Sequence, residues 1–402
     1  MFDFTTSFPE DVLPATGRWT GFPAYNFVGG HNDAALVPVD ALKDCAEKVI
    51  TEQGARLAAY GLGDGPLGYL GLRRFLAASL NSRAGMVVDV DDILLVSGSL
   101  QALDLVNQTL LRGGDTVVIE ESNYGGVYTR FRRLDVNFVA VPTDDQGMRI
   151  DALEATLAEL AAKGIKPRYI YTIPTVQNPT GTVMPEQRRR GLLALAKAYD
   201  LPVFEDDCYA DLTFDGARPP ALHALDDDGR VIYCGSFSKT IAPALRSGYL
   251  VAAPAFLARA LSYKTDAGSG ALEQMVLAEF CSREFDRHVA KLSAHLATKA
   301  EAICTAFDQY FGSSAEYVRP KGGIFIWVRL PEAVDTTRLA EVAGAQGVAI
   351  NPGPEWSSAA DASRYMRLCF GYPDVSVIDN GIRRLAEICQ AEFGLPEQIA
   401  NR

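Results

Sequence analysis

The stretch that decides the fold is residues 92–141, DILLVSGSLQALDLVNQTLLRGGDTVVIEESNYGGVYTRFRRLDVNFVAV, in which short apolar runs alternate with segments of helical periodicity. The alternation continues toward the C-terminus, where the next apolar runs are RYIYTI (168–173), PVFED (202–206), VIYCGS (231–236) and GYLVA (248–252). This pattern is typical of βαβ units, and it predicts an α/β fold with a mainly parallel sheet between helices. Ligands of such sheets bind beyond the carboxyl ends of the strands.

The pattern changes after a long amphipathic segment at about 285–311, which we predict to be one helix. Beyond it, short strands and helices mix, as in GGIFIWVRL (322–330) and YMRLCF (365–370). We therefore predict two domains, a large one spanning 56–295 and a smaller α+β domain formed by 1–55 together with 296–402.

Composition limits the classes of function. The chain has 402 residues, 48% of them hydrophobic and 22% charged, with a net charge of −12. An acidic protein is a poor binder of nucleic acid or anionic membranes, so we expect small-molecule substrates. The first residues, MFDFTTSFPEDVLP, lack the basic and apolar regions of a secretory signal, and we expect a cytoplasmic protein. Seven scattered cysteines without a C-x-x-C pair indicate buried thiols. Of the four histidines only His288 and His295 lie close together, and they have no carboxylate at metal spacing, so we predict no metal site.

Three familiar motifs match in part, but each lacks a required feature. Gly63, Gly65 and Gly68 spell G-x-G-x-x-G, but a helical segment precedes them where a dinucleotide site needs a strand. The run from Ser236 to Lys239 spells the S-x-x-K of penicillin-binding enzymes, yet no lysine is followed by the [ST]-G that those enzymes also require. A P-loop needs glycine directly before the lysine, where Ser238 stands.

The arrangement that remains centres on Lys239, just after the predicted strand 231–236. An adjacent apolar segment, TIAPAL, would lower the pKa of the amine by burial and make it nucleophilic toward aldehydes. Ser236, Ser238 and Arg246 offer the donors that a phosphate ester binds, and Ser99 opens a predicted helix at another strand end. Taken singly, Lys239 is better interpreted as a solvated loop lysine, and Ser99 is equally well interpreted as a plain helix N-cap.

Three further residues follow strand ends. Asp206 ends an apolar run, and a buried carboxylate needs a cation, for which a protonated pyridine nitrogen would serve. Tyr209 could bond a ring oxygen or the phosphate region, and Tyr124 could stack on an aromatic ring. A structural ion pair for Asp206 and ordinary packing for the tyrosines remain the alternatives.

Together these blocks resemble the class I/II aminotransferases of fold type I, in particular the branch with aromatic, 2-aminoadipate and kynurenine aminotransferases. The resemblance runs from about residue 27 to 393. The blocks that carry it, in chain order, are YG…GYLGLR at 60–73, SGSLQALDLV at 97–106, EESNYGG at 120–126, QNPTG at 177–181, EDDCYADL at 205–212, GSFSKTIAPALRSGYL at 235–250, PKGGIFIWVRLP at 320–331, NPG at 351–353 and YMRLCFGY at 365–372.

The resemblance implies pyridoxal 5'-phosphate as cofactor, a seven-stranded sheet in the large domain, and a homodimer with shared active sites. It implies that Lys239 holds the cofactor covalently and shuttles protons, that Asp206 keeps the ring nitrogen protonated, and that Tyr124 stacks on the ring. Residues implied in cofactor binding are these three with Ser99, Leu100, Asn178, Tyr209, Ser236, Ser238, Arg246 and, from the other subunit, Tyr60. Those implied in substrate binding are Gly30, Asn178 and Arg367, the last gripping the α-carboxylate.

The chain departs from the family pattern at three places. The family usually has glutamine where Leu100 stands, so only the backbone N–H of this residue is left for the phosphate. About three extra residues separate Tyr60 from the GYLGLR block, near the expected subunit boundary. The usual GG-x-P is GGHN here, which predicts that His31 and Asn32 face the substrate.

Three functions are compatible with these observations. The leading hypothesis is transamination between an L-amino acid and a 2-oxo acid, with the cofactor passing through its pyridoxamine form. The same residues would support another reaction at the α-carbon, namely decarboxylation, elimination, β- or γ-replacement or oxidation. An effector-binding half of a transcription factor is the third possibility, and it is disfavoured by the acidic charge and by the short segment, about 55 residues, ahead of the core.

Overall fold

A computed structural model describes residues 2–9, 12, 15 and 21–396 of the chain. Its helices are α1 (Val39–Gln53), α2 (Leu70–Ala84), α3 (Ser99–Leu110), α4 (Gly125–Arg133), α5 (Ile150–Ala162), α6 (Glu186–Ala198), α7 (Leu222–Leu225), α8 (Pro254–Leu261), α9 (Ala271–Tyr310), α10 (Thr336–Gly344) and α11 (Val375–Phe393). Its strands are β1 (Tyr25–Asn26), β2 (Ile93–Val96), β3 (Thr116–Glu120), β4 (Asn137–Val141), β5 (Thr143–Asp144), β6 (Gly147–Met148), β7 (Ile170–Thr172), β8 (Val203–Asp206), β9 (Val231–Ser236), β10 (Gly248–Val251), β11 (Glu316–Tyr317), β12 (Phe325–Arg329), β13 (Val348–Ala349), β14 (Asn351–Pro352) and β15 (Tyr365–Cys369).

The central sheet has seven strands in the order β2-β10-β9-β8-β7-β3-β4. Neighbours from β9 to β4 pair in parallel, whereas β10 is antiparallel to both β9 and β2. The prediction of a mainly parallel seven-stranded sheet is therefore confirmed. The reversal at β10 follows from the short connection after β9, since a parallel neighbour would need a longer crossover.

Every residue of β2, β3, β7, β9 and β10 is buried, which explains why these strands read as unbroken apolar runs. One core cluster contains Leu103, Phe131 and Tyr169, and another contains Leu76, Tyr249 and Phe280. With both faces of the sheet packed, the strand ends are the places left where polar side chains can meet a ligand.

Helix α9 begins at Ala271, well before the predicted start near residue 285, and it runs for 40 residues. Its first half contributes Leu277 and Phe285 to a core cluster beside the central sheet. Its second half contributes Ile303 and Phe307 to a cluster with β12 and β15. The predicted start of helix α9 was wrong. The polar side chains around residue 283 interrupt the apolar pattern, and this face of the helix becomes buried only through tertiary packing.

A second, antiparallel sheet has the order β11-β12-β15-β14, and α10 and α11 pack with it around one core cluster. Strand β1 pairs with β13, so the N-terminal segment joins this part of the structure. Helix α1 packs along α9, and its Cys45 lies in the same cluster as Leu72 and Phe280. All seven cysteines are buried thiols, as expected. Within the described ranges, no helix has the length and apolar content needed to cross a bilayer.

Candidate active site

The carboxyl ends of β2, β3, β8 and β9 and the connection after β9 surround a cavity of about 140 Å³, which we call the ring cavity. The predicted residues that line it are Ser99, Leu100, Tyr124, Asn178, Asp206, Tyr209, Ser236, Ser238, Lys239 and Arg246. A larger space of about 580 Å³, the outer cavity, shares Tyr124, Asn178, Tyr209 and Lys239 with it and is also lined by Gly30 and Arg367. The fold therefore brings together every residue that the resemblance implies for cofactor or substrate binding, except Tyr60.

Lys239 lies where the two cavities meet, and its Nζ donates a hydrogen bond to the carbonyl of Gly30 at 2.7 Å. Burial lowers the pKa of this amine, because desolvation disfavours the ammonium form. A β-carbon at position 30 would lie 2.8 Å from Nζ, so a larger residue there would displace the lysine amine from its present position. The Asn32 side chain donates to the Lys239 carbonyl at 3.2 Å and fastens the same segment.

Asp206 ends β8 and lines the ring cavity with its carboxylate. One oxygen accepts a hydrogen bond from the Tyr171 hydroxyl at 2.6 Å, and burial is the main cause that raises the pKa of the carboxyl group. Among the residues that the structure describes, no cation forms an ion pair with it, although buried carboxylates normally have one. The site therefore fits a ligand that brings a cationic N–H to Asp206.

The ring cavity also has the features of an anion site. Helix α3 begins at Ser99 without a side-chain cap, and neither the Ser99 nor the Leu100 N–H donates to any residue in the described part of the chain. Arg246 lies against Gly98, where a β-carbon would be 2.3 Å from its guanidinium. Free N–H groups, a helix N-terminus and an arginine together suit a phosphate.

The side chain of Leu100 lines the ring cavity and offers no hydrogen bond. The next residue, Gln101, does not replace the missing amide contact. Its side-chain oxygen accepts from the Ser97 N–H at 2.7 Å, and its nitrogen donates to Asp266 at 2.6 Å. The amide of Gln101 thus braces the loop before α3 and leaves the phosphate end without a side-chain amide.

Arg367 on β15 lies between two aromatic rings in the outer cavity. Its guanidinium carbon is 3.4 Å from the ring centroid of Trp356 and 4.0 Å from that of Phe325. The group donates to side-chain oxygens of Asn178 (3.2 Å) and Asn351 (2.7 Å) and to the carbonyl of Gly29 (3.0 Å). Burial lowers the pKa of Arg367 to about 10, while its Nε has no partner among the described residues. A buried guanidinium without a carboxylate fits a substrate anion.

Beneath the site lies a layer of buried polar side chains that the sequence analysis did not predict. Glu120 at the end of β3 accepts hydrogen bonds from Thr172 at 2.6 Å and from the Gln177 amide at 3.1 Å. The Gln177 amide also donates to the Ser122 carbonyl at 2.6 Å, and it thereby holds the loop that carries Asn178. Burial raises the pKa of Glu120 to about 7. The signal that could have identified Glu120 in the sequence is its position at the end of an apolar run, which it shares with Asp206.

Trp356, Phe325 and Asn351 also went unpredicted, because no local pattern links them to Arg367. Cys208, another unpredicted residue, lines the ring cavity. Its sulfur, that of Cys234 and an oxygen of Asp206 lie within 4.8 Å of one another, as do oxygens of Asp226, Asp227 and Asp228. We assign neither group as a metal site, since the first belongs to the ring cavity and the second is largely exposed.

Three of the residues predicted for the site lie outside both cavities. Tyr60 is 90% exposed and lines a separate groove near Tyr69, so its predicted contact with a second subunit stays a prediction. His31 was predicted to face the substrate together with Asn32, but its ring packs edge-on with Tyr372, 5.9 Å between centroids. Neither His31 nor Asn32 lines the ring cavity or the outer cavity.

This fold and this site define a pyridoxal-phosphate-dependent enzyme of fold type I: a buried lysine, a carboxylate without a cation and an anion site surround one ring-sized cavity. The chain belongs to the aminotransferase family described as aminotransferase class I and II, whose profile matches residues 33–385. It is therefore a pyridoxal-phosphate-dependent aminotransferase, as the sequence predicted.

Individual proteins similar to this chain are aminotransferases as well. Aromatic-amino-acid aminotransferase 1 of Thermococcus litoralis is 34% identical over 371 residues, which are 92% of this chain and 88% of that protein. The 2-aminoadipate transaminase of Thermus thermophilus is 33% identical over 375 residues, 92% of this chain and 91% of that one. The solved structure of a multiple substrate aminotransferase from Thermococcus profundus is 32% identical, with a TM-score of 0.89 over 98% of this chain and 100% of that chain.

Proposed function

We propose that the enzyme transfers the amino group of an L-amino acid to a 2-oxo acid. The observation that carries this proposal is the position of Lys239, whose Nζ lies where the ring cavity meets the outer cavity that holds Arg367. A substrate whose α-carboxylate binds Arg367 presents its α-carbon to Lys239. The residues around that carbon then decide which reaction takes place there.

Lys239 would hold pyridoxal phosphate covalently through its amine, and the same amine is placed to take up and return a proton at the substrate α-carbon. Burial lowers the pKa of its amine, which favours the neutral form that can attack a carbonyl and accept a proton. When bound, pyridoxal phosphate supplies a pyridine ring that withdraws electrons from the α-carbon. Asp206, oriented by the Tyr171 hydroxyl, would accept a hydrogen bond from the protonated ring nitrogen and so keep the proton on it.

The other residues of the site would bind the cofactor and the substrate and orient them. The N–H groups of Ser99 and Leu100 and the side chains of Ser236, Ser238 and Arg246 would hold the phosphate. Tyr124 would stack on the ring, and Asn178 and Tyr209 would bind its phenolic oxygen. Gly30 and Asn178 stand beside the α-carboxylate bound by Arg367, and the oxygen of Asn178 already accepts from this arginine at 3.2 Å.

We further propose a cytoplasmic homodimer in which Tyr60 of each subunit reaches the phosphate end of the other. The high exposure of Tyr60 and of Arg246 supports this arrangement, because both would be covered by a partner. Seven unpaired thiols are compatible with a reducing compartment. The proposed domains are 56–295 and 1–55 with 296–402, and the core cluster built from β12, β15 and α11 supports the second of them.

Two measurements test the proposal. Borohydride should fix the cofactor on Lys239, identified by peptide mass, and Lys239→Ala should abolish this labelling while Lys264→Ala retains it. A panel of amino acids should then convert the bound cofactor to its pyridoxamine form with release of one equivalent of oxo acid. Release of carbon dioxide or ammonia without that conversion would contradict transamination and favour another α-carbon reaction.

A further inference from the structure

Segment 29–32 runs beside the outer cavity and belongs to neither a helix nor a strand. None of its four N–H groups donates a hydrogen bond to a residue in the described ranges. Its carbonyl groups nevertheless reach two residues of the site, since Gly29 accepts from Arg367 at 3.0 Å and Gly30 accepts from Lys239 at 2.7 Å. Contacts other than a backbone ladder must therefore fix the position of this segment.

Phe27 fixes the upstream end of the segment. Its N–H donates to the carbonyl of Ala349 at 3.0 Å, and its carbonyl accepts from the Cys369 N–H at 2.8 Å. The downstream end has no such backbone pairing, because Asp33 there precedes a short 3-10 turn. The position of the downstream end therefore depends on the side chain of Asp33.

The side chain of Asp33 pairs with a fully buried lysine of helix α9. Lys299 is 1% exposed, and its Nζ donates to Oδ2 of Asp33 at 2.6 Å. Capping of the turn does not account for this ion pair, because the Ala35 N–H donates to the other oxygen, Oδ1, at 2.9 Å. Burial raises the pKa of Asp33, but the hydrogen bonds from Lys299 and Ala35 outweigh burial and lower the pKa overall. The carboxylate of the pair is therefore ionised.

Lys299 also contacts the end of the strand that carries Arg367. Its Nζ donates a second hydrogen bond to the carbonyl of Gly371 at 3.1 Å, two residues beyond β15. A β-carbon at Gly371 would lie 3.4 Å from the carbonyl oxygen of His31, so the end of β15 and the segment lie against each other. One ammonium group thus bonds both of the elements between which the contact of Gly29 with Arg367 forms.

Neither stability nor the other contacts of the segment account for this lysine. Apolar side chains of similar volume often stabilise a core as well as a buried ion pair does. His295 lies 3.1 Å from Asp33, but its side chain is 38% exposed, so water competes for this contact. The contact of Gly30 uses the amine of Lys239, which the cofactor would occupy in the loaded enzyme.

We infer that Asp33 and Lys299 are positioning residues whose ion pair fixes segment 29–32 against the end of β15 and so sets the orientation in which Arg367 binds the substrate α-carboxylate. This inference rests on the proposed transamination, in which Arg367 binds the substrate. Neither residue of the pair touches the substrate. Loss of the pair should therefore weaken substrate binding and leave proton transfer at Lys239 nearly unchanged, because the loop after β9 carries that lysine.

The first test separates KM from kcat for the amino acid that the wild type converts fastest in the panel. Lys299→Met should raise KM by roughly tenfold or more, because the charged hydrogen bonds of the ammonium group are lost, while kcat stays within about twofold. Lys291→Met removes an exposed lysine of the same helix and should have the KM of the wild type.

A double variant covers the case in which Lys299→Met does not fold. Asp33→Asn/Lys299→Met leaves no buried charge without a partner and keeps an oxygen for the Ala35 N–H. If the two residues act as one pair, the double variant should have about the KM of either single variant, since the two losses are then not additive.

The second test needs neither cofactor nor activity. Chymotrypsin should cleave the cofactor-free double variant after Phe27, at the edge of the segment, roughly tenfold faster than the cofactor-free wild type. Cleavage after Phe131, a residue of α4 that is as fully buried as Phe27, should proceed at the rate of the wild type. Equal acceleration at both residues would indicate general destabilisation and overturn the positioning role.

Different failures point to different errors. A wild-type KM in Lys299→Met or in the double variant, or a fall in kcat at constant KM, overturns the positioning role and leaves transamination standing. An equal rise of KM in Lys291→Met also overturns it, because any cation of α9 would then have the same effect. An enzyme that holds the cofactor but converts none of the amino acids overturns the proposed function itself.

Discussion

The guanidinium of Arg367 lies against the indole of Trp356, with 3.4 Å between the guanidinium carbon and the ring centroid. The ring centroid of Phe325 is 4.0 Å from the same carbon. The two rings and the hydrogen bonds to Asn178, Asn351 and Gly29 restrict the orientation of the guanidinium. The arginine is thus preorganised for a carboxylate before a substrate arrives.

We predict that Trp356→Leu weakens substrate binding. Loss of one cation–π contact, worth about 0.5–2 kcal/mol, should raise KM for every amino acid by roughly twofold to thirtyfold. Steady-state kinetics would measure this effect. Trp327→Leu is the matched control, because Trp327 stacks on Tyr365 at 5.2 Å and lies outside both site cavities. Equal KM values in the wild type and Trp356→Leu would contradict the prediction.

Asp206→Asn should bind the cofactor yet slow the chemistry. An amide cannot hold the ring nitrogen protonated, so the half-reaction with an amino acid should be slower by roughly a hundredfold or more. Stopped-flow absorbance measures the rate, and the absorbance of the bound cofactor confirms loading. Asp215→Asn, a change in an exposed loop, should react like the wild type. A half-reaction of normal rate in Asp206→Asn would refute the assigned role.

Glu120 should make the stability of the cofactor-free protein depend on pH. Its folded pKa is raised to about 7 from 4.5, so the stability that it contributes is present below pH 4.5 and is lost as the pH rises through 7. Relative to Glu120→Gln, which cannot ionise, the wild type should lose on the order of 3 kcal/mol between about pH 4 and pH 8.

Denaturant unfolding of both cofactor-free proteins over this pH range gives the difference. Glu205, whose pKa is also raised to about 7 by burial, is common to both proteins and therefore cancels. A difference that stays constant with pH would mean that Glu120 keeps an ordinary pKa in the folded protein.

Leu100→Gln should strengthen cofactor binding. The substitution introduces a side-chain amide beside the free N–H groups at the start of α3, where one additional hydrogen bond contributes about 1 kcal/mol. The dissociation constant of pyridoxal phosphate, measured by fluorescence titration of the cofactor-free enzyme, should fall by roughly fivefold. Leu100→Met, which adds no donor, should bind as the wild type does. Equal affinities of Leu100→Gln and Leu100→Met would show that the amide does not reach the phosphate.

Much of the fold could be predicted from the sequence because it depends on local patterns. The apolar runs mark strands buried on both faces, and this alone indicates a parallel sheet with its ligand site at the carboxyl ends. Lys239, Asp206, Tyr124 and Ser99 were identifiable because each stands at the end of such a run or within a few residues after it. The reversed direction of β10 was not identifiable, since strand periodicity is the same in both directions.

The tertiary structure decided how the site is held and where it opens. Gly30 and Lys239 are 209 positions apart, yet their contact at 2.7 Å joins the N-terminal segment to the site. The rings around Arg367 and the Gln177 bridge from Glu120 to the Asn178 loop likewise depend on contacts between separate elements. The sequence by itself thus determined which residue types stand at each strand end. Only folding decided which of them meet, because local periodicity contains no information about which distant loops approach one another.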